Sequence, residues 1–158
     1  MQKITTFLWY DKQAEEAAEL YTSLFDDSRI VSIQHYGEAG PGASGDVMIV
    51  EFELAGQRFL ALNGGPQQFA FNEAMSLSVD CGSQQEVDRL WSKLTEDGGE
   101  EGPCGWLKDK YGVSWQIVPT KLPELLADPD PVKSQRVMDV MMGMKKIEIQ
   151  GLLDAYDK

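Results

Sequence analysis

The stretch WLKDKYGVSWQIVP, residues 106–119, decides the fold. It reads as a strand, a turn at Asp109-Lys110-Tyr111-Gly112, and a second strand that ends at a proline. In the second strand Ser114, Gln116 and Val118 alternate with Val113, Trp115 and Ile117, the two-residue period of a strand with two distinct faces. Gln116 falls mid-strand among apolar neighbours. An amide placed there needs partners for its donors and its acceptor, so its surroundings bear directly on function.

Outward from this hairpin, the same order of elements occurs twice. Ile4 to Tyr10 predicts a strand. Ala14, Ala17, Ala18, Tyr21, Leu24 and Phe25 then recur at helical spacing within DKQAEEAAELYTSLF. Arg29 to Tyr36 predicts a strand, GEAGPGASG a flexible turn region, and Asp46–Leu54 with Gln57–Asn63 a hairpin through Ala55-Gly56. The second round starts with a strand from Met75 to Asp80. A helix follows with Val87, Leu90, Trp91 and Leu94 on one face, and the 106–119 hairpin closes the round. Beyond it, Leu122 to Ala127 predicts a helical turn that Pro129 and Pro131 break. A further helix is expected from a Ser134 cap onward, with Val137, Met138, Met141, Met142 and Met144 as an adaptable apolar surface. Such a surface covers a core or a dimer seam, or lines a ligand or partner groove.

The chain has 158 residues, enough for one domain or two half-modules. Its 26 acidic residues against 14 basic ones give a net charge of −12 with no compensating basic stripe, which disfavours nucleic-acid binding. No apolar run reaches membrane-span length, and MQKITTFLWY lacks a signal-peptide pattern, so a cytoplasmic protein without a membrane partner is expected. Cys81 and Cys104 read as reduced side chains. With His35 as the single histidine, a structural zinc site cannot be assembled, and a strand position beside Tyr36 makes His35 a partly exposed residue, not a catalytic one. No nucleophile elbow, P-loop or dinucleotide fingerprint is present. What stands out is one polar residue in each of several apolar segments: Thr6, Asn63, Glu73 and Gln116. Turned inward, they would give a mostly apolar pocket with a few polar groups. Asn63 and Glu73 can equally be read as turn chemistry.

ITTFLWYDKQAEEAAELYTSLF, RIVSIQHYGEAGPG, GQRFLALNGGPQQFAFNEAMSLSV and EEGPCGWLKDKYGVSWQIVPTKLPELLADPDP together resemble the PhnB-like subgroup of the vicinal-oxygen-chelate (glyoxalase/bleomycin-resistance) superfamily. Members of that subgroup often carry the label 3-demethylubiquinone-9 3-methyltransferase. The resemblance implies an α+β fold: paired βαβββ modules, about 1–66 and 67–120, form an open cup-shaped mixed sheet. Residues 121–158 form a C-terminal helical extension. It also implies a metal position, which falls on or next to Thr6 in the first strand, near Asn72 or Glu73 at the start of the second module, and on Gln116 after the last turn. Hydroxyl and amide oxygens are weak ligands for a divalent ion and only Glu73 could bring negative charge, so no cofactor is expected, with a divalent metal as the alternative.

The function expected is that of a small-molecule-binding protein or enzyme whose pocket is lined by Thr6, Leu8, Asn63, Glu73, Met75, Trp106 and Gln116. Glu73 is the candidate general base, a role that requires burial to raise its pKa. A non-catalytic, ligand-sequestering protein of the resistance type is the alternative. An interaction module is a third reading, and a homodimer is the expected assembly. Nothing in the chain matches the methyl-donor chemistry that the subgroup label names.

Overall fold

A computed structural model describes residues 2–158 and divides the chain into two units, one ending at Ala70 and the other spanning Phe71–Lys158. In the first, β1 (Thr6–Tyr10), α1 (Ala14–Leu24), β2 (Arg29–His35), β3 (Val47–Leu54) and β4 (Gln57–Asn63) follow one another. The sheet order is β1-β4-β3-β2, with β1 parallel to β4 and the other pairs antiparallel. The alanine-rich stripe explains the helix placement. Ala14, Ala17 and Ala18 have no accessible surface, and their short side chains let α1 approach the sheet closely. Tyr21 reaches Tyr10, their hydroxyls 3.2 Å apart, and packs beside Phe52, which stacks on Phe59 at 5.5 Å. Val50, Phe52 and Ala61 are fully buried in this core. The β3–β4 turn runs through Ala55 and Gly56, both at positive φ, as a tight two-residue hairpin requires.

The second unit repeats the plan. β5 (Ser76–Cys81), α2 (Gln84–Thr95), β6 (Glu100–Glu101), β7 (Trp106–Lys108) and β8 (Ser114–Pro119) form a sheet of order β5-β8-β7-β6, with β5 parallel to β8. Ser83 caps α2 by accepting from the Glu86 amide, and Val87, Leu90, Trp91 and Leu94 are buried beneath the helix as their spacing predicts. β6 has two residues where its counterpart β2 has seven. The fold class is therefore the α+β arrangement of two βαβββ modules, each with a mixed, open sheet. Strand ends differ slightly from expectation: the first strand starts at Thr6, not Ile4, and the fifth runs Ser76–Cys81.

The tail corrects the sequence reading in two places. Its long helix begins at Pro131, not Ser134: the Asp130 carboxylate accepts from the Val132 amide, and proline in the first helical turn loses no hydrogen bond. That helix also stops at Met142, and a separate one follows, so the tail comprises α3 (Lys121–Leu126), α4 (Pro131–Met142) and α5 (Ile149–Tyr156). Of the expected apolar stripe only Val137 and Met141 are buried, while Met142 is exposed. Leu122, Leu125, Val137, Met141, Ile147 and Leu152 form a core of their own. The extension is joined to the module before it. The amides of Cys104 and Gly105 donate to the carbonyls of Met144 and Lys145, and the Gln84 side chain bridges Ile147 and Ile149. Among the described residues no helix is long and apolar enough to cross a membrane.

The two cysteines differ in environment. Cys81 is fully buried, and burial pushes its thiol up to about 12; Cys104 is half-buried. A thiol-reactive chromophore at pH 8 is accordingly expected to label one cysteine of the native chain quickly and the second only after unfolding, counted by absorbance.

Candidate functional site

The site is built on the hairpin's register. Trp106 lies opposite Gln116, Leu107 opposite Trp115, and Lys108 opposite Ser114. Leu107, Trp115 and Ile117 are buried on the side that carries α2. The turn is fixed by Asp109, whose side chain is almost wholly buried. One carboxylate oxygen accepts from the Tyr111 amide (2.9 Å) and the Val113 amide (3.1 Å), the other from the Trp115 indole (2.9 Å). With the turn and Trp115 locked, the alternating residues are committed to the opposite face. That face carries Trp106, Lys108, Ser114 and Gln116, with Ser76 and Ser78 from β5 beside them.

Gln116 Nε2 donates to Ser76 Oγ at 2.9 Å. Lys108 forms an ion pair with Glu73. A cavity of about 370 Å³ opens here, lined in part by Glu73, Glu100, Trp106, Lys108 and Ser114. Ser114 is 1% exposed, and its hydroxyl has no hydrogen-bond partner among the described residues.

The sequence-expected residues separate into two groups. Glu73, Met75, Trp106 and Gln116 belong to the second unit. Glu73 and Trp106 line the cavity, Gln116 stands across the register from Trp106 on the same face, and Met75 is 74% exposed just before β5. Thr6, Leu8 and Asn63 belong to the first unit. Tyr10 reaches α1, so Thr6 and Leu8, at the same parity in β1, lie on the helix-covered side, and Leu8 is buried. Asn63 accepts from the Ala14 amide at 2.8 Å and donates to the Val47 carbonyl at 3.2 Å, which ties the start of α1 to the sheet. It also borders a second cavity, of about 510 Å³, with Asp11, Tyr36 and Asp46.

The open face of the first sheet carries Phe7, Trp9, Leu60 and Leu62 instead. Lys108, Ser114 and Glu100 were not singled out from the sequence. The period of two would have found Lys108 and Ser114, each two positions from a named residue on the same face.

Electrostatics bear on both chemical roles considered. The hydrogen bond from Lys108 holds the Glu73 carboxyl below the usual range, and the same contact raises Lys108. Glu73 is exposed as well, so the raised pKa that a general base needs is not present. The pair's contribution is full above the ordinary glutamate pKa and is lost as pH falls through the lowered one; at the other end it is lost as pH rises through the raised lysine value. The Lys108 amide resonance is therefore expected to stay unchanged between about pH 5.5 and 9, and a titration step inside that window would refute the pairing.

For a divalent ion the donors do not fit. Gln116, whose Nε2 donates to Ser76, could offer a cation only a neutral amide oxygen, and Lys108 places an ammonium where a cation would need negative charge. Among the described residues no group of three or more His, Cys, Asp or Glu side chains converges.

Two mixed βαβββ sheets, each pairing its first and last strands in parallel, define the vicinal-oxygen-chelate fold. Within it, a family model described as 3-demethylubiquinone-9 3-methyltransferase matches residues 2–118, and the chain belongs to that family. The PhnB protein from Bacillus cereus, which carries the same methyltransferase label, is 45% identical. The match covers 75% of this chain and 100% of that one, with a TM-score of 0.68. The fosfomycin resistance protein FosX from Listeria monocytogenes is 13% identical over 78% of this chain and 97% of its own, with a TM-score of 0.52. FosX from Mesorhizobium loti is 14% identical over 81% and 100%, with a TM-score of 0.53. The two FosX likenesses concern the fold alone. A search of curated proteins finds no match.

Proposed function

We propose that the chain is a small-molecule-binding protein of the PhnB-like family that works without a tightly held divalent metal. Its binding surface is the open face of the second sheet. One observation carries the reading: Gln116, at the position that the superfamily resemblance assigns to a metal-binding glutamate, is a neutral amide bonded to Ser76, beside a cavity bearing an unsatisfied buried hydroxyl. Such an arrangement offers hydrogen bonds to a ligand and little charge to a cation. The lowered pKa of Glu73 supports binding over base catalysis. Methyl transfer is not part of the proposal.

The test is metal content after native purification, followed by thermal unfolding with Mn²⁺, Ni²⁺, Zn²⁺ or Mg²⁺. Substoichiometric metal and an unchanged midpoint are expected, since an ion that binds only the folded chain would raise it. A stoichiometric, tightly bound ion would sink the metal-free reading. A ligand turned over by the native chain but not by a Glu73→Gln variant would overturn simple binding.

The same proposal includes a homodimer in the cytoplasm. The large exposed side chains Ile4, Phe7 and Phe69 support the dimer, and two free cysteines suit a reducing compartment. A strict monomer in light scattering at micromolar concentration would remove the dimer.

A further inference from the structure

The cavity on the second sheet holds three carboxylates, Glu73, Glu100 and Glu101, against the single ammonium of Lys108. Lys108 is already engaged by Glu73, and Glu100 lies opposite it in the β6–β7 register. Glu101 accepts from the Trp91 indole at 2.7 Å. Glu100 makes no side-chain hydrogen bond or ion pair among the described residues and is exposed. An anionic ligand would meet this excess of negative charge with no free cation among the described residues that line the cavity. A cationic one would be drawn in by it.

The carboxylates alone would describe only a solvated edge. The second observation is Ser114, 1% exposed, lining the same cavity with a hydroxyl that has no partner among the described residues. A hydroxyl buried without a partner is unfavourable, and a ligand donor arriving there relieves that cost. Beside it Trp106 is half-buried and supplies an apolar wall that can also interact with a cation.

We propose that this cavity receives a small molecule with an ammonium group on an apolar body. Glu100 provides the counter-charge, Ser114 Oγ accepts a hydrogen bond, and Trp106 packs against the apolar part. The proposal rests on reading this face as a small-molecule site, and it adds the sign of the ligand's charge and the residues that read it.

Three probes of one shape and different charge separate the two levels: 2-phenylethylamine, 2-phenylethanol and 3-phenylpropanoate. Each is titrated into the native chain at low salt while the Trp106 indole and Lys108 amide resonances are followed. The amine is expected to bind about tenfold or more tightly than either of the others. Raised salt should weaken it, and Glu100→Gln and Ser114→Ala should each weaken it roughly three- to tenfold. Glu100 is exposed and, apart from its charge facing Lys108, makes no side-chain hydrogen bond or ion pair among the described residues, so its variant keeps the fold even if Ser114→Ala does not. Equal binding of all three probes, or an amine affinity unmoved by Glu100→Gln, would overturn the cationic class while leaving the small-molecule site standing. If no probe moves either resonance at about 10 mM, near the weak end of small-ligand affinity, both the ligand class and the site are overturned.

Discussion

Replacing Asp109 by alanine is expected to destabilise the second unit by about 4 kcal/mol, measured as a lowered midpoint of urea unfolding followed by tryptophan fluorescence. The carboxylate is 2% exposed and accepts from the Tyr111 amide, the Val113 amide and the Trp115 indole. Losing the acceptor strips three donors of that partner, the Val113 amide and the Trp115 indole in buried bonds and the Tyr111 amide in a part-buried one. Each such loss costs roughly 1–3 kcal/mol, partly relieved by local relaxation. Asparagine is a sharper probe. Its oxygen can still serve the two turn amides, but its NH₂ then confronts the Trp115 indole N–H, donor against donor, so an intermediate loss is expected. An Asp109→Ala variant as stable as the parent would show that the turn is held by something else. The whole register of Trp106, Lys108, Ser114 and Gln116 would then need another explanation.

The second large effect is expected at Ile147, outside both modules in the sequence reading. Ile147→Ala should cost about 3 kcal/mol, in the range for a buried isoleucine reduced to alanine. Its side chain is fully buried in the cluster with Leu122, Leu125, Val137, Met141 and Leu152. Gly105 touches it too: a Cβ added there would come within 2.8 Å of the isoleucine's terminal carbon. The neighbouring backbone also anchors the tail to the hairpin through Cys104 and Gly105. Hydrogen exchange distinguishes this from loose docking. If the tail is integral, Ile147→Ala speeds exchange at Trp106–Lys108 as well as in α3–α5; if it is an appendage, only the helices respond.

How much of this was legible in the sequence depended on period and contact range. The alternation in Val113–Val118 and the spacing of Ala14, Ala17, Ala18 and Tyr21 are local, and both were realised as read. Hence the two modules could be placed; the family came separately, from the resemblance of whole stretches of sequence. The tail was harder, because a proline looks alike whether it ends a helix or opens one. What decides is the Asp130 carboxylate one residue earlier and the packing of Ile147, a long-range contact that no local pattern carries. At the candidate site Gln116 and Trp106 were visible as members of one hairpin. Asn63 was not interpretable, because its partners Ala14 and Val47 belong to other elements. Glu73 was given a base's role on residue type alone, and the Lys108 ion pair that lowers its pKa depends on a turn-to-strand contact.

The parallel pairing that repeats in both sheets has a consequence for how the chain is made. Thr6 finds Phe59, and Ser76 finds Ser114. In each module the first strand synthesised is therefore completed by the last. On the ribosome β1 must wait, its hydrogen-bonding edge unpaired, while α1 and the β3–β4 hairpin form from nearer contacts, because distant closure costs chain entropy before it is rewarded. The second module carries a further delay, since the carbonyls that receive Cys104 and Gly105 belong to residues made after its sheet is complete. The order of synthesis thus leaves the β7–β8 hairpin, and the cavity beside it, among the last parts of the protein to be secured.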